Sequence, residues 1–155
     1  MTPPHGVRVD TLPDQSRLHG YVQAGDFLDC LTGPAQIPPR RAAMIALAAP
    51  FWVTLLLRLR NLLVRPFGLR GVEKSDNSIG LFPVVAEDET EIILGFDDSH
   101  LDFRIAVFCT AQQVYLATWV HCNNRFGRMY LALIMPFHKL IMRRSIRAVV
   151  RQSRA

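Results

Sequence analysis

The chain has 155 residues, of which half are hydrophobic and a fifth are charged, so it is long enough for one globular domain with a proper core. Its first twenty residues are polar and include two adjacent prolines, which argues against a cleavable signal peptide. The longest uncharged run, Ala42–Leu57, is shorter than the roughly eighteen to twenty residues that span a bilayer, and Pro50 divides it. The sequence therefore predicts a cytoplasmic protein without a membrane-spanning helix.

The net charge of +5 conceals a strong segregation along the chain. Residues 1–71 hold eight arginines and four aspartates, residues 72–122 hold two basic and nine acidic groups, and residues 123–155 hold eight basic groups and no acid. The segregation fits basic helices beside an acidic sheet edge. It also fits a basic surface for phosphates or anionic lipid headgroups.

The first third of the chain predicts an arm, a strand and two helices. Residues 1–26 are rich in proline, glycine and polar side chains, which is typical of an extended N-terminal arm. Phe27–Thr32 follows as a short strand that Gly33 and Pro34 close. Pro38 and Pro39 then open a helix through Ala42–Ala49, and Pro50 begins a second helix over Phe51–Arg65.

Apolar and polar residues then alternate with a period of two, after a predicted loop over Gly71–Ser78. This period predicts four strands whose short connections make neighbours antiparallel: Ile79–Ala86, Glu91–Asp97, Leu101–Cys109 and Gln113–Cys122.

The last element is a long helix over Arg125–Arg151. Asn123 and Asn124 precede it as candidates for its N-cap, and Pro136 predicts a bend inside it. Spacings of three and four define one apolar stripe, which comprises Phe126, Tyr130, Leu133, Phe137, Leu140 or Ile141, and Ala148.

This order of elements predicts an α+β fold in which an antiparallel sheet curls around the C-terminal helix. We expect one domain over residues 27–152, with residues 1–26 as the arm and 153–155 as a tail. Such packing leaves a cavity between helix and sheet. Its expected lining is Leu101, Phe103, Ile105 and Val107 from one strand and Tyr130 and Phe137 from the helix.

Three ordered blocks resemble a known family: Leu55–Leu69 (LLLRLRNLLVRPFGL), Gly95–Val107 (GFDDSHLDFRIAV) and His121–Arg144 (HCNNRFGRMYLALIMPFHKLIMRR). Together they are similar to the bacterial family called domain of unknown function 2867, and the resemblance covers about Asp26 to Arg151. It implies a helix-grip, START-like fold, whose wider superfamily holds carriers of lipids and other hydrophobic ligands, and polyketide cyclases. Members also occur fused behind a reductase-like domain, which implies a possible reductase-like partner, although this chain has no glycine-rich nucleotide-binding fingerprint.

Polar side chains near the expected cavity are the candidates for chemistry. His100, Asp102 and Arg104 share one strand face, as an acid–base or anion-binding cluster or as a solvated ion pair. Trp119 and His121 share a face of the last strand, and His138 follows Phe137 on the helix. With their side chains directed inward beside Tyr130, His121 and His138 would contact a ligand through polar atoms.

Cysteines and metals contribute little to the prediction. Cys30, Cys109 and Cys122 are odd in number and lie in apolar runs, which favours buried thiols over a disulfide framework. Cys109 and Cys122 with His121 and His138 lack the spacing of a zinc site, so we expect no metal and no cofactor.

Cations cover the long helix and its tail. Arg143, Arg147 and Arg151 form a line at spacings of four, and Arg144 lies beside them. Because no acid accompanies them, these four arginines are candidates for binding anions. No base-reading or RNA-binding motif accompanies them, so we expect no nucleic-acid partner.

Three functions remain open from the sequence. The first is binding of a small hydrophobic molecule between the sheet and the C-terminal helix. The second is a cyclase-like or isomerase-like enzyme that uses the histidines and Tyr130, or the His100, Asp102 and Arg104 cluster, as acid–base groups. The third is a module that docks on an anionic membrane or a partner protein through the basic helix.

Overall fold

The computed structural model describes residues 6–48, 77–80 and 82–154. These residues form an α+β fold with a curled antiparallel sheet and a long C-terminal helix, an arrangement consistent with a helix grip. In chain order the elements are β1 Arg8–Val9, a 3-10 turn Arg17–Gly20, β2 Phe27–Pro34, α1 Pro39–Ala46, β3 Ser78–Ile79, β4 Phe82–Glu87, β5 Glu91–Asp97, β6 Leu101–Cys109, β7 Gln113–Cys122 and α2 Arg125–Ser153.

The strands form one seven-stranded sheet in the order β1-β2-β7-β6-β5-β4-β3, and every neighbouring pair is antiparallel. The predicted bounds of β5, β6 and β7 are confirmed. The Asp88 carboxylate fixes the turn before β5 by accepting from the backbone N–H groups of Thr90 at 2.7 Å and Glu91 at 2.9 Å. The predicted strand Ile79–Ala86 is two strands, because Gly80 turns the chain at φ +61°.

The two faces of the sheet carry separate cores. The inner face, which α1 and α2 cover, holds the larger core, and α1 contributes the small buried residues Ala42, Ala43 and Ala46. From α2, only residues of the C-terminal half join this core: Met142, Ile146 and Val149. Among the described residues, the first half of α2 therefore contributes no side chain to this core.

Helix α2 begins as the sequence predicts, because the Asn124 side chain accepts from the Gly127 N–H at 2.9 Å, and the helix continues through Pro136. Its rotation differs from the prediction. Met129, Leu133, Phe137 and Leu140 are exposed, whereas Gly127, Met142, Ile146 and Val149 are buried. Leu133, Phe137 and Leu140 of the predicted apolar stripe thus face solvent, because the first half of α2 is apolar around most of its circumference and does not specify which side packs.

Glycines allow α2 to approach the sheet closely at both ends. A Cβ on Gly127 would stand 2.1 Å from the carbonyl oxygen of His100, at the turn before β6. A Cβ on Gly33 of β2 would stand 2.6 Å from Cγ2 of Val150. The helix therefore crosses the inner face from the β5–β6 turn to the end of β2, and the two glycines set its height there.

The N-terminal segment, residues 6–26, covers the outer face of the sheet. Leu12 and Leu18 are fully buried against Ile93, Ala106 and Trp119. The segment is held by the buried Glu91 carboxylate, which accepts from the Ser16 hydroxyl and from the Arg17 backbone N–H at 2.8 Å. The described part of the predicted arm is thus a packed layer of the fold.

The predicted helix Phe51–Arg65 and most of the predicted loop Gly71–Ser78 lie outside the described residues. The predicted first helix is α1, which begins at Pro39 and ends at Ala46. Among the described helices, none combines the length and the apolar character needed to cross a membrane.

The close contact at Gly127 predicts a stability effect. In Gly127→Ala the new methyl group overlaps the His100 carbonyl, so we expect the free energy of unfolding to fall by about 1–3 kcal/mol, although alanine favours a helix by about 1 kcal/mol. Chemical denaturation followed by circular dichroism measures this. The exposed neighbour Arg128 provides the control, Arg128→Ala, which should change stability by less than about 0.5 kcal/mol. A Gly127→Ala protein as stable as the wild type would contradict the packing.

Candidate functional site

The inner face is arranged in rows that run across the strands. Leu31, Leu116, Val107 and Ile92 lie side by side by strand register, and each is buried. Two rows further on, towards the N-terminal end of α2, Phe27, Val120, Phe103 and Phe96 lie side by side, and the three phenylalanines are only half-buried. The phenylalanines of this second row are thus less buried than the aliphatic residues of the first.

Aromatic rings concentrate in this half-buried region. The Phe103 ring makes edge-to-face contacts with Phe96 at 4.6 Å and with Phe82 at 5.5 Å between centroids. Ile105 and Val84, on the same face, are also half-buried. Ile134 of α2 lies on the side of the helix that faces the sheet and is half-buried as well. These residues form a half-buried apolar surface on the inner face, which we call the inner site.

A polar pair stands at the margin of the inner site. The Nε2 of His138 lies 3.1 Å from Oδ2 of Asp29, and its ring meets Phe27 edge-to-face at 5.9 Å. The other oxygen of Asp29, Oδ1, is buried and accepts no hydrogen bond from the described residues. A buried acceptor without a donor is uncommon in folded proteins, so this oxygen marks where a donor from a ligand would be stabilised.

The structure divides the predicted ligand-binding residues between three surfaces. Leu101, Phe103 and Ile105 lie on the inner face, as expected, and α2 adds the half-buried Tyr130 and His138. Phe137 is 51% exposed, on the solvent face of α2. The expectation that it lines the cavity is wrong, because the packed side of α2 is rotated by about one residue from the predicted stripe.

Trp119 and His121 also lie away from the inner site. Strand β7 turns Leu116 and Thr118 towards α2, so the alternate residues Trp119 and His121 lie on the outer face, under the N-terminal segment. The expectation that they share the inner cavity is therefore wrong, since the sheet separates them from it.

Asp26 organises the outer face around these two residues. Its Oδ2 accepts from the Trp119 indole N–H at 2.8 Å and from the Gln23 backbone N–H at 2.8 Å, and its Oδ1 lies 2.5 Å from Nδ1 of His121. The Asp26 side chain is 3% exposed and the His121 side chain 32%. Burial raises the pKa of Asp26, but the hydrogen bonds from His121, Gln23 and Trp119 outweigh it, so the pKa lies below its ordinary value. A carboxylate only accepts, so Nδ1 carries the proton and Nε2 is the nitrogen left for chemistry.

Arg104 extends this outer site. Its guanidinium lies 5.1 Å from the centroid of the Tyr21 ring and 5.9 Å from that of Trp119. Its Nη2 binds the exposed Asp97 at 2.9 Å and its Nη1 donates to the Phe103 carbonyl at 2.7 Å. Its Nε is buried without a partner among the described residues.

The predicted cluster of His100, Asp102 and Arg104 is not one cluster. Arg104 pairs with Asp97, Asp102 accepts from the Asn123 side chain at 3.1 Å, and His100 contacts the Asn124 side chain at 3.0 Å. His100 also packs on the Phe126 ring at 4.4 Å between centroids. His100 and Asp102 therefore hold the start of α2 against the β5–β6 turn.

The cysteines provide no activated thiol. Burial raises the pKa of Cys109 to about 12, and burial with the charges of Asp29 and Asp10 raises the pKa of Cys30 to about 12. Burial also raises the pKa of Cys122. Within residues 6–48, 77–80 and 82–154, no three histidine, cysteine or acidic side chains converge as metal ligands.

Sequence reasoning missed Asp26 and Asp29, which hold the two histidines. Asp26 directly precedes β2 and Asp29 is its third residue, and their side chains point to opposite faces of the sheet. The available signal was an acidic pair at the start of an otherwise apolar strand, where a buried carboxylate needs a partner.

The Asp26 pair predicts a pH-dependent loss of stability. The ionised carboxylate stabilises the fold above the unfolded-state pKa of 3.8, and this contribution is lost as the pH falls through the lower folded-state pKa. We expect Asp26→Asn to lower the free energy of unfolding by about 1–3 kcal/mol at pH 7, and by less below about pH 3. Urea denaturation at both pH values measures it.

Asp14, exposed in the same segment, provides the control. Asp14→Asn should leave the stability unchanged at either pH. An equal loss of unfolding free energy in Asp26→Asn at both pH values would contradict the prediction, because it would show that ionisation of Asp26 does not stabilise the fold.

The comparisons with known proteins identify a family but give no activity. No curated protein and no solved structure matches the chain. The profile of one family, described as "Protein of unknown function (DUF2867)", matches residues 23–145, which include β2, α1, β5 to β7 and most of α2. The chain therefore belongs to the DUF2867 family of proteins of unknown function.

Proposed function

We propose that this protein binds a small hydrophobic molecule at the inner site, between the first half of α2 and the sheet. The observation that carries the proposal is the row of half-buried aromatic rings around Phe103, at the position where the helix adds no fully buried side chain. Apolar surface that the chain itself leaves partly exposed favours an apolar ligand, since removal of such surface from water is favourable.

The height of α2 supports this proposal. The Gly127 contact brings the helix backbone close to the His100 carbonyl at one end, and Gly33 lets the Val150 side chain pack on the β2 backbone at the other. Between them the helix passes over β2 and β7, where Phe27 is half-buried and its ring meets His138. A ligand of moderate size would complete the packing there.

The polar margin of the inner site supports a more specific class of ligand. His138 and Asp29 offer an imidazole and a carboxylate oxygen that lacks a donor. A mostly apolar molecule with one hydroxyl or amide N–H would bury its apolar part on the phenylalanines and donate to Asp29. A START-like carrier of such molecules is the function that this arrangement favours.

An acid–base enzyme is a second candidate, and its site is the outer one. The buried Asp26 orients His121 through Nδ1, which is how a carboxylate prepares an imidazole to exchange a proton through Nε2. Arg104 lies on the same face, two strand positions away across the β6–β7 pair, and would stabilise a developing negative charge.

The ligand proposal predicts a difference between two phenylalanines of one strand. Phe103 lies on the inner face and Phe108 on the outer face of β6. We expect Phe103→Ala to weaken binding of cis-parinaric acid, a fluorescent fatty acid, roughly tenfold. Phe108→Ala, the matched control, should change the affinity by less than about twofold. Fluorescence titration of variants that remain folded by circular dichroism measures both.

Native mass spectrometry of freshly purified protein complements this titration, because a copurifying small molecule identifies the ligand class. A wild-type protein that neither carries a molecule nor binds the probe would contradict the proposal. Equal losses in Phe103→Ala and Phe108→Ala would also contradict it.

The enzyme candidate predicts exchange of a carbon-bound proton. With enolisable ketones and β-keto esters in heavy water, an acid–base site catalyses deuterium incorporation next to the carbonyl, which NMR detects. We expect His121→Gln to abolish the exchange and His138→Gln to leave it unchanged. Deuterium incorporation no faster than in buffer alone would exclude the enzyme function. Loss of incorporation in His138→Gln but not in His121→Gln would assign the activity to the inner site.

A further inference from the structure

Beyond Arg125 in the first turn, the solvent face of α2 is divided along the helix axis into an apolar half and a cationic half. Four large apolar side chains are 51–72% exposed in the first half: Met129, Leu133, Phe137 and Leu140. Four exposed arginines follow in the second half: Arg143, Arg144, Arg147 and Arg151. At 100° per residue all eight lie within an arc of about 120° on one side of the helix.

From these positions we infer that the solvent face of α2 docks on an anionic membrane surface. The apolar half enters the boundary between headgroups and acyl chains, and the arginines bind lipid phosphates beside it. Exposed apolar residues alone would not identify an occupant. The arginines in line with them identify a membrane as the occupant, because a bilayer surface offers an apolar phase and a plane of phosphates together.

The charge of the helix supports a partner that is anionic. No acidic residue occurs in α2, and Arg143, Arg147 and Arg151 form no ion pair with any residue that the structure describes. Cations near the C-terminus of a helix interact favourably with its dipole, but that effect acts within the last turn. Arg143 lies ten residues before the end of α2, so the dipole does not account for it.

A second copy of the chain fits this face less well. Two parallel copies would place arginines against arginines, and two antiparallel copies in full overlap would place the apolar half of one on the cationic half of the other. Contact between the apolar halves alone would use four side chains, on the order of a few hundred Å², whereas a stable interface needs about 800 Å² on each partner.

The solvent face of α2, which we call the docking face, lies on the opposite side of the helix from the inner site. The arc that faces the sheet is occupied by Gly127, Ile134, His138 and Met142. The inference therefore does not depend on ligand binding. Protein without any ligand is sufficient to test it, and failure of one proposal leaves the other intact.

Cosedimentation with lipid vesicles tests the inference. We expect the wild type to bind vesicles that contain phosphatidylglycerol, to bind phosphatidylcholine vesicles far less, and to be released by high salt. Arg143→Gln with Arg147→Gln should weaken the partition coefficient roughly 25-fold, about fivefold for each charge. Leu133→Ser with Leu140→Ser should weaken it by roughly tenfold or more. Since all four residues are exposed, we expect these variants to fold.

The matched control removes two charges elsewhere. Arg8 and Arg41 are exposed, and Arg8→Gln with Arg41→Gln lowers the net charge equally. We expect this pair to bind as the wild type does. Equal weakening in the two double variants, equal binding to both kinds of vesicle, or no binding to phosphatidylglycerol would overturn the inference. A concentration-dependent dimer that Leu133→Ser with Leu140→Ser abolishes, in light scattering without lipid, would assign the face to a second copy instead.

Discussion

Close packing at two glycines determines how α2 lies on the sheet, and the orientation of both faces of the helix follows from it. Gly127 brings the first turn against the His100 carbonyl, and Gly33 admits Val150 near the other end. With its ends fixed in this way, a long helix has one rotation, which directs His138 to the sheet and Leu133 to solvent. The inner site and the docking face are therefore two consequences of one packing arrangement.

Strand β2 connects the two faces of the sheet through a pair of aspartates. Asp26 holds His121 on the outer face, and Asp29 holds His138 of α2 on the inner face. A carboxylate removed from water is costly unless it is paired, so each aspartate restricts where its histidine can lie. The buried Glu91 does the same for the N-terminal segment through Ser16. The three carboxylates thus fix the positions of α2 and the N-terminal segment on the sheet, which non-directional apolar contacts alone do not specify.

Much of the sheet could be predicted from the sequence, and the rotation of α2 and the cover of the outer face could not. Strands β5 to β7 have a clear period of two and short turns, so their bounds and the inward position of Phe103 follow from the pattern. The first half of α2 is apolar on most sides, so its period predicts a helix without choosing its buried side. Leu12 and Leu18 have no period at all, and only the tertiary contact of Ser16 with Glu91 reveals their role.

Among the described residues the sheet ends in two very short strands, β1 and β3, which have two residues each. A strand of that length offers few unpaired backbone groups, and Arg8 places a charge on one of the two edges. Addition of a foreign strand, the usual route by which sheets aggregate, is therefore disfavoured at both margins.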